Sequence, residues 1–206
     1  MRLPSWRATV LGCGVGVLML WIFFSKIHGV LGATHRVPGA ETAVIEGWVA
    51  DYVMEYAAEA FEEGKYKEVY VTGVPVPRGK HMNGIQTTDE VVVKSLLALG
   101  VPSDQIYSMP VEYDIFGDRT LQMAKKLREG LLNMGHTGDF DVLTDGIHGY
   151  RSRWVFQHVF PDRKVGVVCL PDNEYDADRW WAYSAGVKKV LMELISVVYQ
   201  RLRGIN

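Results

Sequence analysis

The stretch "TDGIHGYRSR" (144–153) gathers Asp145, His148, Arg151 and Arg153 directly after the apolar run FDVL. If a strand gives way to a helix here, these side chains surround a helix N-terminus. Free N–H groups and the helix dipole attract anions at such a position. A guanidinium such as Arg151 grips phosphate or carboxylate as a fork. His148, three residues earlier, could protonate a leaving oxygen or orient a bound group. Ordinary surface polarity is the competing reading. A second segment, "FGDRTLQMA" (116–124), brings Asp118, Arg119 and Thr120 to the start of another helical pattern. Asp118 there reads equally well as an N-cap, and Asp145 as the cap of the helix that follows it.

The elements that must position these residues follow from periodicity. Strand-like runs fall at 42–48, 67–73, 105–111, 140–144 and 164–170, and helical patterns at 51–63, 87–99, 119–133, 150–160 and 177–203. Five β–α units in succession predict a mostly parallel five-stranded sheet with helices on both faces, a three-layer Rossmann-like α/β domain over 42–206. Pro110 predicts an edge position or a strand end for the third strand. The predicted helical stripes are Val53, Ala57, Ala60 and Phe61; then Val91, Val92, Ser95, Leu96 and Leu99; then Thr120, Ala124, Leu127 and Leu131. On the final helix the stripe reads Val187, Val190, Leu191, Leu194, Ile195, Val198 and Leu202. Trp180 and Trp181 read as packing residues and His158 as solvated.

At 206 residues, the chain holds one domain and something extra. That extra part is N-terminal: residues 8–24 carry no charge, with Arg2 and Arg7 before them and Lys26 after. As a helix this run covers about 25 Å, against a hydrocarbon core of about 30 Å, and Trp6 and Ile27 extend it. An uncleaved anchor over 8–27, after a basic segment 1–7 and before a linker 28–41, is favoured over a signal peptide cut near "VLGA" (30–33). Leu31 suits such a cut poorly, and the run exceeds a usual signal core. Arg2 and Arg7 favour an inside N-terminus, with Lys26 and Arg36 opposing, so the folded part is expected outside the cytoplasm. A net charge of −2 lacks the clustered basic excess of nucleic-acid binders. Of two cysteines, Cys13 lies inside the apolar run, which argues against a bridge to Cys169.

In sheets of this type, ligands bind outside the carboxyl ends of the strands. The loops there contribute Glu46, Gly47 and Trp48; Thr72, Gly73, Arg78, Lys80 and His81; Tyr113, Asp114, Asp118, Arg119 and Thr120; Asp145, His148 and Arg151; and Asp172, Asn173, Tyr175, Asp176 and Asp178. Gly47 and Gly73 form neither a GxGxxG nor a Walker loop and read also as plain tight-turn residues. Glu46 and Asp145 suit a hard cation, although no ligand spacing demands a metal.

Taken in order, "FGDRTLQMA" and "LTDGIHGYRSRWVF" resemble the paired motifs of the ElyC/SanA/YdcF family (domain of unknown function 218) across about residues 42–200. "VIEGW" (44–48) and "YDADRWWAYSAGVKKVLMELI" (175–195) resemble its envelope-associated subgroup. The resemblance implies a Rossmann-like fold, an N-terminal anchor in the bacterial inner membrane, and a ligand site including Asp118, Arg119, Thr120, His148 and Arg151. It also implies a role in the cell envelope, with some relatives connected to peptidoglycan or polyprenyl-phosphate carrier metabolism and some to S-adenosylmethionine. It supplies no reaction, cofactor or protein partner. The chain departs from the family in carrying Glu46-Gly47-Trp48 for a Gly-rich turn, and Met123 or Ala124 where an asparagine is usual.

Three functions fit these residues. An envelope enzyme would act on a phosphorylated or nucleotide-like small molecule or lipid-linked phosphate. Arg119 and Arg151 would clamp the anion, His148 would be acid or base, and Asp118 and Thr120 would orient it. A non-enzymatic module would sense the same ligand beside a partner enzyme. Methyl transfer would need an acidic ribose-binding residue and a Gly-rich turn, which Glu46-Gly47 suggests only faintly.

Overall fold

A computed structural model describes residues 5–76, 84–112 and 117–204. Arg78, Lys80, His81, Tyr113 and Asp114 lie outside the described residues. The strands are β1 (Thr42–Glu46), β2 (Glu68–Gly73), β3 (Ile106–Pro110), β4 (Phe140–Asp145) and β5 (Val165–Leu170). The helices are α1 (Trp6–Leu31), α2 (Asp51–Glu62), α3 (Thr88–Ala98), α4 (Arg119–Asn133), α5 (Gly149–Val159) and α6 (Ser184–Arg203). One sheet forms in the order β3-β2-β1-β4-β5, and each neighbouring pair is parallel. The fold is therefore the expected Rossmann-like α/β domain with a long apolar N-terminal helix. Pro110 ends β3, an edge strand, as its missing N–H requires.

Alternation along the strands sorts the core into two layers. Ala43, Ile45, Val69, Val71 and Leu143 pack with Val53, Met54 and Ala57 of α2 and Val92 and Leu96 of α3. Val44, Tyr70, Phe140, Val142 and Val167 face the other way, toward Ala124, Leu127 and Leu131 of α4 and Val155 and Phe156 of α5. A third cluster joins Leu31 of α1 to Ile147, Tyr175, Trp180 and Val190. Successive strands are added on one side of β1 as far as β3 and then on the other side of β1 from β4, so the crevice at the carboxyl ends of β1 and β4 is the topological switch point.

Several expectations need correction. The first strand stops at Glu46, because Gly47 and Trp48 turn. On α3, Val92 and Leu96 are buried while Val91 and Leu99 are exposed, and Asp89 takes the remaining inward place. The helix expected over 177–203 is two elements, a 3₁₀ turn at Ala177–Ala182 with non-helical Arg179, and then α6. On α6 only Gly186, Val190, Glu193 and Gln200 are buried, whereas Leu191, Ile195, Val198 and Leu202 are exposed. Trp180 is buried but Trp181 is half exposed. The apolar helix runs on through Leu31, and His35 bridges antiparallel to Val167, so part of the expected linker is packed structure. His158 is exposed as expected, and both cysteines are free.

Gly47 and Gly73 are explained by space. A β-carbon on Gly47 would crowd the Thr72 carbonyl oxygen and the Thr88 hydroxyl, and one on Gly73 would collide with Asp89. Both glycines let α3 begin directly against the ends of β1 and β2, where Val74 N–H donates to Thr88 Oγ1 at 3.1 Å. Gly73→Ala is expected to lose about 1–3 kcal/mol by overpacking, read from the denaturant midpoint of the full-length protein in micelles.

Candidate functional site

The site forms where α4 and α5 begin, at the switch point. Asp118 is the N-cap of α4, accepting from Leu121 N–H at 3.0 Å, and its other oxygen accepts from the Gln200 amide. Capping thus fixes Asp118, Arg119 and Thr120 at the helix mouth. Asp145 makes no capping bond. The chain instead enters α5 through a 3₁₀ turn, Gly146–His148, with Gly146 at a φ of 46°. That turn aims His148 back across the strand ends.

Trp48, Gly117, Asp118, Arg119, Thr120, His148 and Arg151 line one cavity of about 260 Å³. Five of the ten predicted site residues, Asp118, Arg119, Thr120, His148 and Arg151, are therefore brought together. Trp48 meets the His148 ring edge-on, with centroids 4.6 Å apart. Asp145 stands behind, its Oδ1 3.9 Å from His148 Nε2. Glu46 lies fully buried beneath, accepting from Ser152 Oγ at 2.7 Å. Gly47, Thr72 and Gly73 do not line this cavity. Thr72 is wholly buried, paired in register with Glu46.

The residue that organises the cluster is Glu193 on α6, 2% exposed. Its Oε2 lies 2.6 Å from His148 Nδ1, and its Oε1 accepts from Arg151 Nε at 2.7 Å. Arg151 also donates to Thr120 Oγ1 at 3.0 Å and to Glu193 Oε2 at 3.3 Å. Its guanidinium fork, expected to clamp a ligand, is thus largely engaged inside the protein. Arg119 is the exposed cation of the cavity.

Charge follows from these contacts. Burial alone would push the Glu193 carboxyl up, but the His148 hydrogen bond and the Arg151 charge outweigh it and hold it below the usual range. Glu193 is then an ionised acceptor, so His148 Nδ1 carries the hydrogen of the bond between them. Arg151 is driven up by Glu193 in spite of its own burial. Glu46 behaves oppositely: burial raises it, and Ser152, Arg151 and His148 oppose only in part. Asp145 too is raised by burial, against His148 and Lys189. The cluster therefore sets one carboxyl lowered by its partners beside two raised by burial. Such divergence allows acid–base work.

Among the described residues, no group of three or more His, Cys, Asp or Glu is arranged to hold a metal ion. No family model matches the chain, and no curated protein matches it.

Glu193, Ser152 and Gln200 escaped sequence reasoning. Glu193 did leave a trace, as a lone acid between Val190 and Val197 on an apolar stripe. Such a residue is either misplaced or paired.

Two outcomes are expected. Glu193→Ala leaves the Arg151 guanidinium and the His148 ring without their shared acceptor and should cost about 3–5 kcal/mol, whereas the double variant with Arg151→Ala should cost clearly less than the two single losses added together. Glu46→Gln should match the wild type below about pH 4.5, the usual glutamate value. A raised carboxyl stabilises while protonated and loses that contribution as pH rises, so the variant should become the more stable one above that point. Thermal unfolding of both proteins across pH reads the difference.

Proposed function

We propose that this chain is a single-pass protein of the bacterial inner membrane whose extracytoplasmic α/β domain binds a phosphorylated ligand, a small molecule or lipid-linked phosphate, at the mouth of α4 and α5. The supporting observation is the convergence of Arg119, Thr120, His148 and Arg151 on one cavity at the switch point. Arg119 meets the ligand's charge together with the first N–H groups of α4. Arg151 holds Thr120 and His148 in place. His148 Nε2, with Nδ1–H committed to Glu193, takes or gives a proton.

The resemblance to ElyC/SanA/YdcF proteins supports the envelope assignment. Support for the anchor comes from α1, 26 residues long and apolar enough to cross a membrane, with none of its apolar window buried. Leu31 is buried among Ile147, Tyr175, Trp180 and Val190. Cleavage after Ala33 would remove that contact, which favours an uncleaved anchor.

A second reading, a binding module without turnover, has one observation in its favour. Thr120 supplies the only hydroxyl among the described residues lining the cavity, and its oxygen already accepts from Arg151. A nucleophile would then have to be water or part of the ligand.

Thermal shifts of the full-length protein in micelles test both readings, screened against inorganic phosphate, nucleotides, polyprenyl phosphates and S-adenosylmethionine, with and without divalent cations. A phosphate-bearing ligand at 100 times its dissociation constant should stabilise by about 2.7 kcal/mol. Arg119→Ala should remove the shift. His148→Ala should abolish any phosphoester turnover while retaining binding, and binding with no turnover in the wild type selects the second reading. No shift across the panel would falsify the phosphate-site proposal.

A further inference from the structure

We infer that the outward face of α6 lies on the lipid bilayer, in the headgroup region, and that the candidate site is carried on the opposite face of the same helix. This rests on the reading of α1 as a membrane span. Leu191, Ile195, Val198 and Leu202 follow the spacing i, i+4, i+7 and i+11, so they share one face. Met192 and Tyr199 widen it. Ile195 is 61% exposed and Leu202 85%, and the stripe lies opposite Val190, Glu193 and Gln200, which are buried. Single exposed leucines are ordinary, but a continuous apolar stripe of this length marks an interaction surface.

Contact with the anchor identifies the occupant. At 26 residues, α1 is about 39 Å long, while about 20 residues fill the hydrocarbon core. Counted from Trp6, the core ends near Ser25, just before the charge of Lys26. Trp180 Nε1–H donates to the Phe24 carbonyl at 3.2 Å, and the two rings lie 6.1 Å apart. The 3₁₀ turn that leads into α6 is thereby pinned at headgroup depth.

Farther along α6, Val187, Val190 and Val197 pack in the cluster that holds Ile27 and Leu31. Arg201, near the end of α6, shares a groove with Gly29 and Val30. From Val187 to Arg201, α6 stays level with the last turns of α1, crossing the anchor instead of climbing along it. Half-exposed Trp181, with Tyr183, Tyr199, Lys188 and Arg203, completes the residue set of helices that lie in a membrane interface. Glu193 and Gln200 would then hold the site about one helix diameter, roughly 10 Å, above the lipid. A lipid-linked phosphate could reach it without leaving the membrane.

Spin labels on the full-length protein in phosphatidylethanolamine–phosphatidylglycerol vesicles decide the matter. Cys169, its thiol pushed up to about 11 by burial, resists labelling and can stay. Labels go on native Cys13 and, with Cys13→Ser, on Ile195→Cys, Leu202→Cys and Glu59→Cys. Positions 13, 195 and 202 should collide more with oxygen than with a water-soluble nickel chelate, and position 59 should show the reverse. Water-exposed labels at 195 and 202 beside a lipid-exposed Cys13 would overturn this inference and leave the anchor standing. Dipolar broadening between copies at 195 would overturn it in favour of a second chain as the occupant. A water-exposed Cys13 would overturn the span and the inference together.

Discussion

A single buried carboxylate ties this structure together. Glu193 reaches across from α6 to His148 and Arg151 at the start of α5, and Arg151 passes the constraint on to Thr120 at the start of α4. Three helices distant in sequence are thus locked at one point by charge-assisted hydrogen bonds. Burying those charges is costly in isolation and tolerable only as a set. The cavity inherits its geometry from this lock. A histidine held at Nδ1 by an ionised acid presents a defined Nε2, and an arginine held along its fork becomes a positioning group, leaving Arg119 as the exposed charge.

Beneath the lock lies a carboxyl of opposite character. Glu46 points into the same layer as Val44, accepts from Ser152, and is driven toward its neutral form by burial. Where many Rossmann-like proteins turn on small glycines after the first strand, this chain keeps a single glycine and buries an acid. Gly47 gives close approach to α3, and Glu46 gives polarity under the cavity. The two carboxyls are shifted in opposite directions because one is held by Arg151 and His148 and the other chiefly by a hydroxyl.

The long apolar helix α1 is part of the domain's packing. Ile27 and Leu31 enter the cluster formed by Ile147, Tyr175, Trp180 and Val190, and His28 Nε2 lies 3.1 Å from the Tyr175 hydroxyl. Ile147 is the direct neighbour of His148, so the end of α1 buttresses the turn that presents the site. The placement of α1 and the geometry of the cavity are therefore set by the same contacts.

Sequence alone determined the class of fold. Short-range periodicity decides which segments are strands or helices, and five β–α units admit a parallel sheet whatever its strand order. It also marked Asp118 to Thr120 and His148 to Arg151, because both motifs fall at strand-to-helix junctions, where the fold class puts its ligands. Tertiary structure decided the rest. The final helix carries apolar residues around more than one face, so periodicity could not tell which face turns inward. It chose the leucines, whereas the structure buries Glu193 and Gln200, because only that face meets His148, Arg151 and Asp118. Partners more than forty positions apart leave no local signature, and a lone acid in an apolar run acquires its meaning only when its hydrogen-bond partners arrive from elsewhere in the chain.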